Sequence, residues 1–213
     1  MFANKKAIFW DNDGVLVDTE KYYFEATYLT MKKAGFELTL EQYIEQFLIK
    51  ATGAWHLLDQ NKFSAKDIQQ LKTERDNLYT HFLMTRDILI DGVEGILAKL
   101  SEKYKMAIVT SSKPNHFKAI HSRTELLKYF SFVVTSEDYT NYKPDPEPYL
   151  FALKKMSVNS SEGLAIEDSR RGLVAAKKAG LECIIMKNEL TKTSDFSDAD
   201  LILEHISQLT KIL

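Results

Sequence analysis

The segment Ala7-Ile8-Phe9-Trp10-Asp11-Asn12-Asp13-Gly14-Val15-Leu16-Val17-Asp18 runs from an apolar tetrapeptide straight into two aspartates and a glycine. A short apolar run bounded by turn residues predicts a buried strand. In an open α/β sheet, ligands bind beyond the carboxyl ends of the strands, which is where Asp11 and Asp13 fall. An EF-hand reading fails, because position 5 of the loop would be Val15 and the glycine arrives too early.

Similar runs recur at Met106–Thr110, Phe132–Thr135, Gly163–Ile166 and Cys183–Met186, with a shorter one at Leu201–Leu203. Helical patterns over Val93–Lys103, Pro114–Leu127, Pro146–Met156 and Arg170–Ala179 follow most of them. Strand and helix in alternation imply βαβ units, and so an α/β fold whose parallel sheet lies between layers of helices. Residues 19–89 break the alternation and read as helical throughout. Tyr22, Ala26 and Leu29 predict one face of a first helix that Gly35 terminates. Thr39 with Gln42, and Ser64 with Asp67, have capping-box spacing, and Ile68, Leu71, Leu78 and Phe82 stripe a further helix. An insertion of about 70 residues exceeds an ordinary loop and predicts a small all-helical domain. The expected organisation is an α/β core over 1–18 and 90–213 with a helical domain over 19–89.

The 213 residues carry 28 Lys plus Arg against 30 Asp plus Glu, a net charge of −2 that asks for neither nucleic acid nor an anionic membrane. A 45% apolar content excludes a disordered chain. One cysteine, Cys183, excludes an internal disulfide and a Cys-cluster zinc site. The start has lysines but no apolar stretch behind them, and no run approaches the roughly 18 apolar residues of a membrane span. A soluble, cytoplasmic protein is expected. The glycines form no dinucleotide or P-loop fingerprint, and no G-x-S-x-G or H-E-x-x-H is present. His116 and His121 are five apart, on different helix faces, and all five histidines are expected to be structural or exposed.

The remaining chemistry is acidic and sits at strand ends. Glu167 and Asp168 close the run Gly163–Ile166 as Asp11 and Asp13 close the first. Two carboxylate clusters at the tips of two parallel strands repel unless a cation lies between them, and all-oxygen ligation favours Mg²⁺. Thr110, Ser111, Ser112 and Lys113 offer hydroxyls and amides to phosphate oxygens near a helix start. Lys143, in Tyr142-Lys143-Pro144-Asp145-Pro146, is held by prolines and suits neutralisation of a phosphoryl group.

Read in order, D-x-D-G-V-L-x-D, V-T-S-S, K-P-D-P and E-D-S-x-x-G resemble the four motifs of the haloacid dehalogenase superfamily, in its β-phosphoglucomutase-like phosphatase subgroup. The likeness spans essentially the whole chain, and the helical insertion resembles the C1-type cap. It implies a Rossmann-like core and an Mg²⁺-dependent phosphatase of small phosphorylated metabolites, sugar phosphates foremost. Asp11 would be the nucleophile that forms an aspartyl-phosphate, and Asp13 the general acid/base whose backbone carbonyl also ligates the metal. Thr110 and Lys143 would hold the phosphoryl group, Asp168 would ligate Mg²⁺ with Glu167 in support, and Gly14 would permit the tight turn. The loop around Lys50 has a polar and aromatic character suited to facing substrate. A small phosphorylated metabolite is the expected partner, without nucleic acid or membrane, and the chain is expected to be a monomer. Mutases of the subgroup typically carry a histidine where this chain has Tyr23, which favours hydrolysis. Dehalogenases and phosphonatases lack the aspartate present here as Asp13. Asn12 stands where the superfamily usually has an apolar residue, and Asp91 where a proline is frequent. The alternatives are a sugar-phosphate mutase and a non-catalytic binding module on the same scaffold.

Overall fold

The computed structural model describes residues 2–59 and 62–213 and divides the chain into two compact units, Met1–Asp18 with Ile88–Leu213, and Thr19–Asp87. In the first unit, six strands form one parallel sheet: β1 (Ala7–Trp10), β2 (Lys105–Val109), β3 (Phe132–Val134), β4 (Gly163–Glu167), β5 (Glu182–Met186) and β6 (Leu201–Leu203). Their order is β3-β2-β1-β4-β5-β6, so β1 lies between β2 and β4, with Trp10 opposite Ile108 on one side and Ile166 on the other. That position is where the direction of winding reverses, the place at which such sheets open a crevice for ligand.

Strand side chains alternate between the two faces of the sheet, and each face has its own apolar core. Ile8, Trp10, Met106, Ile108, Leu164 and Ile166 pack with Val93, Ile96, Leu97 and Leu100 of α4 (Val93–Ser101) and Phe117 of α5 (Pro114–His121). Ala7, Phe9, Ala107, Val109 and Ala165 pack with Tyr149, Ala152 and Leu153 of α6 (Glu147–Met156) and Leu173 and Ala176 of α7 (Arg170–Lys178). Central strands covered on both sides must be apolar throughout, which is why they are legible as continuous runs.

The expected helix over Pro114–Leu127 stops at His121, and a 3₁₀ turn follows at Leu126–Tyr129. The hydroxyl of Ser122 bonds the Ala119 carbonyl and that of Thr124 meets His121 Nδ1, side-chain bonds that compete with continued helix.

The second unit holds α1 (Glu20–Lys33), α2 (Leu40–Tyr43), a π-helical turn at Ile44–Ile49 and α3 (Ala65–Thr85). Gly35, at φ +83°, ends α1: its N–H reaches Lys32 O and that of Phe36 reaches Met31 O, a Schellman closure that needs the left-handed conformation. Both capping boxes form, Thr39 with Gln42 and Ser64 with Asp67. The stripe expected on α1 is displaced. Leu29 is exposed, whereas Thr27 and Thr30 are buried with Ala26 and Met31, because each threonine hydroxyl bonds the carbonyl four residues earlier and so loses its need for water. On α3, Arg75 is buried with its guanidinium carbon 4.4 Å from the Tyr23 ring centre. Among the described residues, no helix is long and apolar enough to cross a membrane.

Candidate active site

Asp11 follows β1 directly, and its N–H continues the ladder to Ile166 O of β4 at 2.8 Å. Thr110 continues β2 in the same way, donating to Val134 O at 3.0 Å. Residues 11, 110 and 168 therefore sit at one edge because three adjacent parallel strands end there. Lys143 arrives from the loop between β3 and α6, across a cis Lys143–Pro144 peptide.

Lys143 is 4% exposed and uses three donors: 2.7 Å to Asp11 Oδ1, 2.6 Å to Glu167 Oε1 and 2.8 Å to Val109 O. The same Glu167 oxygen accepts Tyr149 Oη at 2.6 Å. Glu167 is thus a wholly buried carboxylate that holds the lysine and is itself held by Tyr149. Gly172 of α7 makes room for it, since a Cβ there would collide with the Glu167 carboxyl group. Burial pushes the Asp11 carboxyl up to about 7, against the pull of Lys143, and the charges of Glu167 and Asp13 push the same way. Burial would pull the Lys143 ammonium down, but Asp11 and Glu167 outweigh it and hold its pKa above the ordinary lysine range. The site is a buried, charge-dense cluster with more anion than cation.

Asp13 forms a second group. Its Oδ2 accepts Ser112 Oγ at 2.5 Å, Asn12 Nδ2 at 3.2 Å and Thr110 Oγ1 at 3.4 Å. The turn is closed by Gly14 N–H to Val17 O at 2.7 Å, with Gly14 at φ +82°. A side chain on Gly14 would be strained and would also strike the Asp168 carboxylate. Asp168 Oδ2 accepts Asn188 Nδ2 at 2.8 Å, and Asn188 Oδ1 accepts the N–H groups of Leu190 and Thr191.

Among the described residues, Asp11, Glu167 and Asp168 bring one carboxylate oxygen each to within 4.8 Å of one another. Three hard oxygen donors with an uncompensated negative charge suit Mg²⁺, and the bare Gly14 backbone lets the Asp168 carboxylate come close against the first-strand loop. The residues present fit that ion.

Asp11, Lys143, Glu167 and Asp168 are brought together, and Asp13, Thr110, Ser112 and Gly14 lie beside them. The hydroxyl of Ser112 is committed to Asp13. Ser111 is a partner of Tyr139, and Lys113 is exposed where α5 begins. Lys50 belongs to the helical unit and pairs with Glu45 at 2.9 Å. Sequence reasoning missed Tyr149, Asn188 and the spatial purpose of Gly172. The glycine was readable in E-D-S-x-x-G, but the other two carry no local motif.

Residues 8–186 match the haloacid dehalogenase-like hydrolase family. The chain is similar to YhcW of Bacillus subtilis, 30% identical over 210 residues that cover 96% of this chain and 93% of that protein. It is also similar to the phosphorylated carbohydrates phosphatase of Thermotoga maritima, 28% identical over 84% of this chain and 83% of the other. In fold it resembles the crystal structure of CbbY from Rhodobacter sphaeroides in complex with phosphate, with a TM-score of 0.81, 24% identity and 96% of each chain covered.

Proposed function

The chain belongs to the haloacid dehalogenase-like hydrolases, and we propose that it is an Mg²⁺-dependent phosphatase of small phosphorylated metabolites, sugar phosphates foremost, acting through an aspartyl-phosphate on Asp11. The observation that carries this reading is the buried Lys143 ammonium, held 2.7 Å from Asp11 and 2.6 Å from Glu167, two of the three carboxylates that gather there. A phosphate monoester is doubly anionic and repels a carboxylate, so a nucleophile of this kind is useful only where cations are already in place. The Thermotoga maritima relative, a phosphatase of phosphorylated carbohydrates, supports the substrate class.

Magnesium held by Asp11, Asp168 and the Asp13 backbone carbonyl, with Glu167 completing the acidic cluster, would supply further positive charge to the phosphoryl oxygens. Lys143 cancels charge on the transferring group and keeps Asp11 oriented. An Asp11 carboxylate oxygen forms a bond to phosphorus as the ester P–O bond breaks, and the departing alkoxide takes a proton from Asp13. Asp13, now a carboxylate, removes a proton from water. The water oxygen bonds to phosphorus, the acyl phosphate opens, and phosphate leaves with Asp11 restored. Thr110 and Ser112, by bonding Asp13, hold it beside the nucleophile for both steps.

The test is phosphate release from a panel of sugar phosphates and other phosphorylated metabolites, with Mg²⁺ and then with excess EDTA. Release that stops on chelation and returns with Mg²⁺ is expected. Activity that survives full chelation contradicts the metal assignment. Rearranged sugar phosphate without phosphate release would identify a mutase, and binding without turnover a binding module.

A further inference from the structure

Asn12 is completely buried between the two aspartates, and both ends of its amide are engaged. Its Nδ2 meets Asp13 Oδ2 at 3.2 Å and its Oδ1 meets His121 Nε2 at 2.9 Å. The direction of these bonds follows from donor chemistry. Asp13 Oδ2 is the accepting oxygen on which the Ser112 and Thr110 hydroxyls also converge, so the amide nitrogen faces Asp13 and the amide oxygen faces His121. An amide oxygen only accepts, so His121 Nε2 carries the hydrogen. His121 Nδ1 then accepts the Thr124 hydroxyl at 2.9 Å. The imidazole packs on Phe117 with ring centres 4.4 Å apart. Burial drives its pKa down to about 4, against the pull of Asp13, so the neutral ring that this direction requires is the form present at neutral pH.

We propose that His121, the last residue of α5, is a positioning residue for the acid/base step: through Asn12 it sets the rotation of the Asp13 carboxyl group. This rests on the phosphatase reading above and extends it to a residue 109 positions from Asn12. Of the groups named above on Asp13 Oδ2, Ser112 and Thr110 are hydroxyls, each able to re-aim its hydrogen by rotation about one C–O bond. The Asn12 amide is planar and held at both ends, so the His121 N–H on its oxygen fixes the plane in which its nitrogen meets Asp13. Without the His121 donor the buried amide oxygen is left unsatisfied, and the side chain gains by turning towards another partner and drawing its nitrogen off the carboxyl group. A carboxyl group that must first give and then take a proton is sensitive to such misplacement, which costs on the order of 100-fold when a group shifts by about 1 Å.

The test uses kcat/KM, which reports the phosphorylation step, on two probes with Mg²⁺. These are phenyl phosphate, whose leaving group needs protonation, and 4-nitrophenyl phosphate, whose leaving group scarcely does. His121→Leu should lower kcat/KM on phenyl phosphate by about 10-fold or more and on 4-nitrophenyl phosphate by less than about threefold. Asn12→Leu should do the same. The double variant should lose no more than either single one, because both changes break one chain of bonds. His121→Gln, which keeps an N–H donor, should recover most of the phenyl phosphate activity. Melting temperatures identify folded variants, and Asn12→Leu and His121→Gln carry the test if His121→Leu does not fold. Equal losses on both probes, or losses that multiply in the double variant, overturn the proposal and leave His121 a packing residue. Wild-type silence towards both probes overturns the phosphatase reading instead.

Discussion

At the scale of single residues, the charge balance of the site turns on Lys143. One ammonium faces Asp11 and Glu167, both buried, and a third donor ties it to the end of β2. Removing one partner of a buried ionic cluster typically costs about 3–5 kcal/mol, because uncompensated charge is left behind. Lys143→Met should therefore lower unfolding stability by about that amount in urea titrations. It should also abolish turnover, since Asp11, already raised to about 7, loses the charge that favours its ionised form. A variant of unchanged stability would contradict a buried ion pair between Lys143 and Asp11. The four aspartates and glutamates and the lysine were readable in sequence because each stands in a short motif at a strand end. Asn12 was readable only as a departure. Its partner His121 lies on another element, and five histidines spread along the chain gave no reason to single one out.

At the scale of elements, α7 makes the sharpest case. Glycine inside a helix is ordinarily worse than alanine by up to about 1 kcal/mol. Gly172 lies in the first turn of α7 with no room for a Cβ, because the Glu167 carboxyl group fills that space. Gly172→Ala should therefore destabilise the protein and lower kcat, the opposite of the usual sign, read by denaturant unfolding and turnover together. Stabilisation would show that Glu167 is not fixed where it stands. The central strands were legible because burial on both faces forces them to be apolar. The buried face of α1 was not, because Thr27 and Thr30 satisfy their hydroxyls inside the helix and hydropathy alone counts them as exposed. The π-helical turn at Ile44–Ile49 likewise has no periodic signature that separates it from an ordinary helix.

At the scale of the molecule, residues scattered from 11 to 168 meet because the order β3-β2-β1-β4-β5-β6 places the first strand at the centre and runs every strand the same way. Strand–helix alternation made the parallel sheet readable before any contact was known. The helical unit Thr19–Asp87 was recognisable by its lack of strands. What this assembly performs is tested most directly by trapping its covalent state. The account requires phosphate on Asp11 and no other residue, formed before Asp13 is needed to activate water. Asp13→Asn mixed rapidly with 4-nitrophenyl phosphate and Mg²⁺, quenched in acid and read by tandem mass spectrometry, should give a burst of nitrophenolate. Phosphate should then lie on Asp11, and neither signal should appear with Asp11→Asn. A phosphate localised to residue 13, or a burst from Asp11→Asn, would contradict the account.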